Sequence, residues 1–182
     1  CPASRNARRL PGAWTVADSA SAGPAGVGKA TLVRAVCAGR RLVELDGPDG
    51  GALTAQDRHK AVADAVGTVA NGGGVLLITD IDALLPTPAE PVATMILGEL
   101  RKAVAAPGVV FIATSQQPDA VDPRLRAPDL CDRELGLSLP DGATRKALLE
   151  VMLRDVPADD LALDEIADRT PRFADSAVAA VL

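Results

Sequence analysis

The chain has 182 residues, 48 % of them apolar, a formal net charge of −5 and only Trp14, Phe111 and Phe173 as aromatic side chains. That length forms one ordinary domain, or one domain with a small appendage, around a core of Ala, Val, Leu and Ile. The acidic balance and the lack of stacking platforms exclude a general nucleic-acid surface, and no run approaches the ~20 apolar residues of a membrane span.

Residues 1–22, with Pro2, Pro11, Arg5, Arg8 and Arg9, read as a linker or an N-terminal fragment. The segment Gly23-Pro24-Ala25-Gly26-Val27-Gly28-Lys29-Ala30-Thr31 then fits the phosphate-loop pattern G-x-x-x-x-G-K-[ST] in every position but the last. Such a loop bares backbone N–H groups around phosphate oxygens, and the next helix aims its positive end at the same anion. Lys29 adds a point charge on the terminal phosphates. Ala30 stands where a metal-binding hydroxyl belongs. Thr31 has a hydroxyl, but one residue along a helix turns a side chain by roughly 100°, away from the metal. A Gly-rich stretch before a helix can also be a mere tight turn; Lys29 in its proper place favours the phosphate loop. The preceding residues 13–22 make a poor central strand. Either that strand is unusually polar, or residues the pattern expects are missing there.

From the loop onward the order is regular. Ala30–Cys37 reads as a short helix, and Arg41–Asp46 as a strand ended by Gly47-Pro48. Ala55–Val69 has helical spacing, with Val62, Ala65 and Val66 on one face, and Gly72-Gly73-Gly74 breaks it. His59, flanked by Arg58 and Lys60, reads as a surface helical residue. Val75–Ile78 is a continuous apolar run, as in a strand buried on both faces. Pro91–Ala105 is a helix, Val109–Thr114 a buried strand, and Glu134–Leu139 a further strand. Strands alternating with helices predict a parallel sheet covered on both faces. After Pro140 the strands stop: Ala143–Arg154, Leu163–Arg169 and Ala174–Leu182 read as helices. Cys1, Cys37 and Cys131, odd in number and without C-x-x-C spacing, read as reduced thiols. With no signal peptide visible, the expected compartment is the cytoplasm.

Four segments in this order resemble the AAA ATPases, and within them the valosin-containing-protein type of double-ring unfoldase. They are Gly23–Thr31; Val75–Leu84, similar to an apolar strand ending in Asp-Glu-x-Asp-Ala; Ala113–Asp119 with Val121–Arg126, similar to the polar-sensor strand and its "IDPALRR" turn; and Asp132-Arg133-Glu134 with Leu139-Pro140-Asp141, similar to the "FDREI…PD" exit. The resemblance runs from Gly23 to about Leu182. It implies an α/β P-loop NTPase three-layer sandwich with a parallel sheet over residues 23–140, then a small C-terminal α-helical lid over 141–182, incomplete around 172–176.

It also implies what is altered. The family's metal-shell Asp and water-polarising Glu align with Thr79 and Asp80. Threonine supplies no carboxylate, and aspartate is a methylene short; about 1 Å of misplacement costs on the order of 10²-fold. Sliding the register gives Asp80 and Ile81, which is no better. The polar sensor aligns with Gln116. The two arginine fingers, worth roughly 10³–10⁵ in rate in analogous NTPases, align with Ala127 and Leu130, leaving an apolar edge toward a neighbour. Arg124 and Arg126 read as solvated or interface charges, and Asp82 as structural. The substrate-gripping loop falls near Ala52–Ala55, with Leu53 its only large apolar residue. The expectation is a module that holds ATP or ADP with little use of Mg²⁺ and no other metal, and that hydrolyses slowly or not at all. It self-associates into a ring, a hexamer by resemblance, and meets protein substrates or adaptors. Two readings stay beside it: an active ATPase with substituted residues, and a scaffold with an empty site.

Overall fold

The computed structural model describes residues 13–17, 28–137, 140–153 and 162–169. Five parallel strands, β1 (Ala13–Ala17), β2 (Leu42–Asp46), β3 (Gly74–Thr79), β4 (Val109–Ser115) and β5 (Cys131–Gly136), form one sheet in the order β2-β3-β4-β1-β5. Ala13–Ala17 is therefore an interior strand, paired on both sides, with a register irregularity against β5 at Ala13/Trp14. The fifth strand lies three residues earlier than the sequence suggests at its start, at Cys131 rather than Glu134.

Two helices cover one face. In α3 (Ala55–Gly72), Val62, Val66 and Val69 recur at the spacing of one helical face. In α5 (Ala93–Ala105), Ile96, Leu97, Leu100 and Ala103 do the same. Both faces close on Leu76 and Ile78 of β3 and Phe111 and Ala113 of β4, and this cluster is the main core. Each such fully buried Leu or Ile contributes about 2 kcal/mol. The opposite face carries α1 (Lys29–Val36), whose Val33, with Cys37 just beyond it, packs on Val75 and Leu77. Successive β3 side chains thus alternate between the two helical layers, as a strand buried on both faces requires. The result is the three-layer α/β sandwich of a P-loop NTPase.

Local chemistry sets the ends. Thr54 and Asp57 cap α3 reciprocally: the Asp57 N–H donates to Thr54 Oγ1 at 3.2 Å and that hydroxyl donates to Asp57 Oδ2 at 2.7 Å. Gly73 and Gly74, at φ 67° and 124°, turn the chain from α3 into β3. Gly47-Pro48 ends β2 as expected, but the next residues form a short helix, α2 (Gly47–Gly51), rather than a plain loop. Asp46 caps it, and Pro48 sits in its first turn, where a missing N–H costs nothing. A four-residue helix, α4 (Ile81–Leu84), follows β3.

Beyond Pro140, α6 (Gly142–Met152) and α7 (Leu163–Arg169) pack on each other through Leu149 and Ala167, with Leu153, Leu163 and Ile166 around them. Buried Arg145 staples the pair: its Nε and Nη2 donate to Ala167 O at 3.0 and 2.8 Å, and its Nη1 to Pro140 O at 2.7 Å. A cation on the last-turn carbonyls of α7 also suits the helix dipole. The expected helix at Ala174–Leu182 and the gap at 172–176 lie outside the described residues.

Candidate functional site

In a parallel α/β sheet, ligands meet the carboxyl ends of the strands. Here one row of residues crosses that edge. Asp46 on β2 is in register with Thr79 on β3; Ile78 is in register with Ala113, which brings Thr79 level with Thr114 on β4; and Thr114 is in register with Val16 on β1. By alternation Thr79 and Thr114 belong to the α1 side of the sheet, the side of Val75, Leu77 and Ile112.

Of the phosphate loop, Gly23, Pro24, Ala25, Gly26 and Val27 lie outside the described residues. Gly28 ends it at φ 75°, a left-handed conformation natural to glycine, and is the residue before α1. Lys29 opens the helix and is only 7 % exposed, so its charge is held against the protein rather than in bulk water. Ala30 is half-buried and Thr31 exposed.

The strand-end residues are hydrogen-bonded into the frame. Thr79 is buried, and its hydroxyl donates to Asp46 Oδ2 at 3.3 Å. Asp80 sits at φ 45°, ψ 55°, a left-handed conformation Asp tolerates, and its N–H donates to Thr114 Oγ1 at 3.1 Å. Asp82 accepts from Ser115 Oγ at 2.7 Å and from the Gln116 N–H at 3.3 Å. It thereby ties α4 to the end of β4 and fixes the backbone of Gln116. Asp46, Thr114 and Ser115 carry no sequence signal of their own: their roles come from register, which composition does not reveal.

One expectation at the turn after β4 needs correction. Leu130 presents no apolar edge: it is 1 % exposed and belongs to the main core. Arg124, although exposed, is also held within its own chain. It closes on buried Asp122 through Nε at 3.0 Å to Oδ1 and Nη2 at 2.7 Å to Oδ2, while Nη1 reaches Thr94 Oγ1 at 2.9 Å. These hydrogen bonds hold the Asp122 carboxyl below the usual carboxylate range, against burial, which pushes it up. Arg126 donates to Pro118 O at 2.7 Å and pairs with Glu134 at 3.4 Å. Ala127 is half-buried.

The loop Ala52–Thr54 follows α2, with Leu53 41 % exposed. Its base is fixed in two ways. A Cβ on Gly47 would lie 2.2 Å from Asp80 O and 2.3 Å from Thr79 O, and one on Gly51 2.5 Å from Ala83 O. Only glycine lets α2 lie this close to α4. Arg58, beside His59, is buried: Nη2 donates to Gly51 O at 3.0 Å and Nη1 pairs with Glu90, while Nε has no partner. His59 beside it is partly covered and faces Glu99 at 3.5 Å.

The sequence pattern of the ATPase family associated with various cellular activities (AAA) matches residues 21–139. The chain belongs to that AAA family. It is 29 % identical over 167 residues to the Cell division cycle protein 48 homolog of Archaeoglobus fulgidus, covering 83 % of this chain and 22 % of that protein. It is 32 % identical over 175 residues to the ATPase family gene 2 protein of Schizosaccharomyces pombe, 88 % of this chain and 21 % of that one. It is 32 % identical over 171 residues to the ATP-dependent zinc metalloprotease FtsH of Nitrosococcus oceani, 83 % and 26 %. The chain thus spans about a fifth to a quarter of the length of these curated relatives.

Two positions that the family pattern gives to the Mg²⁺ accompanying nucleotide lack their metal-binding groups. Ala30 has no hydroxyl, Thr79 has no carboxylate, and the Thr79 hydroxyl is engaged by Asp46. Among the described residues no helix is long and apolar enough to cross a membrane.

Proposed function

We propose that this chain is a nucleotide-holding AAA module with impaired hydrolysis, serving ring assembly or regulation in a larger protein-remodelling ATPase. The nucleotide is ATP or ADP, held chiefly by the backbone of Gly23–Gly28 and by Lys29, with residues 23–140 as the binding domain and 141–182 as the lid. The observation that carries the reading is the contrast within one site. Gly28 keeps a left-handed turn before α1 and Lys29 opens that helix, as the loop pattern expects, while Thr79, which aligns with the metal-shell carboxylate, is a buried hydroxyl that donates to a neighbouring strand.

In this reading the chain's own groups bind and orient but do not drive chemistry. Lys29 neutralises terminal phosphate charge and the N-terminus of α1 adds its dipole. Asp80 is a methylene short of a water-polarising glutamate, and its backbone is fixed by Thr114. Arg124 is spent on Asp122 within its own subunit, so it is a poor candidate for reaching a neighbour's phosphate. The module would work in the cytoplasm, within a ring of six, on protein substrates or adaptors.

The test is calorimetric titration of ATP and ADP with and without Mg²⁺, alongside phosphate release. The expected result is measurable affinity, little Mg²⁺ dependence, and turnover far below roughly 1–10³ s⁻¹. Lys29→Ala should weaken binding. No binding at millimolar nucleotide would favour an empty scaffold. Phosphate release at ordinary enzyme rates, abolished by Lys29→Ala, would favour an active ATPase.

A further inference from the structure

The carboxylate missing from the end of β3 has a counterpart one strand away. Asp46 ends β2 at the position in register with Thr79. Register partners in a parallel sheet present their side chains to the same layer, about 4.8 Å apart. The Asp46 carboxylate is committed at both oxygens: Oδ2 accepts from the Thr79 hydroxyl at 3.3 Å, and Oδ1 accepts from the Asp49 N–H at 3.0 Å, capping α2. The first of these is long for a hydroxyl donor, but neither side chain is free to withdraw. Thr79 is buried. Asp46, itself exposed, cannot turn away without uncapping α2, and α2 can come no closer, because the Thr79 and Asp80 carbonyls fill the space beside Gly47.

We infer that Asp46 and Thr79 form one compensated exchange: Asp46 is the positioning residue of this site, and its carboxylate locks the strand-end position in its metal-free form. An acid at position 79 would lose the donor that Asp46 now uses and would set two carboxylates side by side. Like charges this close oppose each other's ionisation. Thr79→Asp alone therefore does not recreate a metal-shell carboxylate, whereas Thr79→Asp with Asp46→Asn does. Asparagine keeps an acceptor for the Asp49 N–H and offers an amide donor to the new acid. The metal arm of this inference rests on the nucleotide-holding reading; the pairing itself does not.

The experiment is a double-mutant cycle on the full chain: unmodified, Asp46→Asn, Thr79→Asp and the double variant, with Thr79→Ser as the conservative control. Urea unfolding without nucleotide reads the pairing. Thr79→Asp is expected to raise the unfolding constant about tenfold, and Asp46→Asn to recover most of that loss in the double variant. Thr79→Ser should stay near the unmodified protein. Titration of ADP with and without Mg²⁺ reads the metal arm: only the double variant should bind ADP at least fivefold tighter with Mg²⁺. Additive stability effects, or a Thr79→Asp variant that is stable and Mg²⁺-responsive by itself, would overturn the inference. Coupling in the urea cycle with no ADP binding in any variant would support the pairing and overturn the nucleotide-holding reading instead.

Discussion

Arg58 offers the sharpest test of how the Ala52–Thr54 loop is held. Truncation to alanine removes the Nη2 hydrogen bond to Gly51 O, the pair with Glu90, and the packing of a buried stem. Breaking a buried ion pair costs about 3–5 kcal/mol when it strands a charge. Here the Glu90 side chain is 44 % exposed, so water recovers it and that penalty does not apply. What remains is a charge-assisted hydrogen bond of about 1.5–3 kcal/mol and the packing, offset by relief of the unpartnered Nε. The net expectation is a loss of about 2 kcal/mol, or roughly 4–8 °C in Tm for a domain of this size. Arg58→Met keeps the stem packing and has no unpartnered N–H, so it should lose about half as much. Glu90→Gln should lose about 1 kcal/mol or less. Urea midpoints give the energies, and amide hydrogen exchange at Ala52–Thr54 gives the location. A Glu90→Gln loss equal to that of Arg58→Ala, or an unchanged midpoint in Arg58→Ala, would refute the reasoning.

Leu130→Arg, the substitution that would restore a finger by alignment, should destabilise by about 3–5 kcal/mol, because it replaces a fully buried core leucine with a cation; a variant with an unchanged melting temperature would contradict this placement. Gly47→Ala should cost about 1–3 kcal/mol through overpacking against the Thr79 and Asp80 carbonyls, read by urea unfolding. Asp122 should give an acid limb to stability. Its folded pKa is lowered by Arg124, so its contribution is complete above the ordinary Asp value of about 3.9 and is lost as pH falls through the lower folded value. Asp122→Asn should flatten that limb, and a pH profile identical to that of the unmodified chain would count against the pairing.

The parts legible in the sequence were those where burial writes itself as composition. Val75–Ile78 is apolar without interruption because helices cover both faces of β3, and Leu163–Arg169 has the bounds that its helical pattern gave. What escaped was set by partners distant in sequence. Residues 13–22 as a whole make a poor central strand, yet Ala13–Ala17 within them pairs with β4 and β5 on either side. Gly-Pro-Asp-Gly-Gly reads as a breaker, and becomes helix because Asp46 caps it and α4 leaves room for nothing larger. Arg58 carried no signal of its own beside Asp57 and Lys60, but helical rotation turns it inward to a carbonyl. Leu130 was aligned by motif, and a motif does not report that this leucine is packed in the main core.

The glycine contact between α2 and α4 also divides this region by tolerance to change. Positions 47 and 51 are closed to any side chain, since each added methyl meets a backbone carbonyl that belongs to the Thr79–Ala83 turn. Pro48, Asp49 and Ala52–Thr54 are exposed and free of that restriction. New chemistry, a longer loop or a bulkier tip can therefore be installed at Leu53 while the mounting beneath it stays fixed. Diversification of the loop and preservation of the strand-end turn are separate problems for selection, and for an engineer choosing where to graft a new grip.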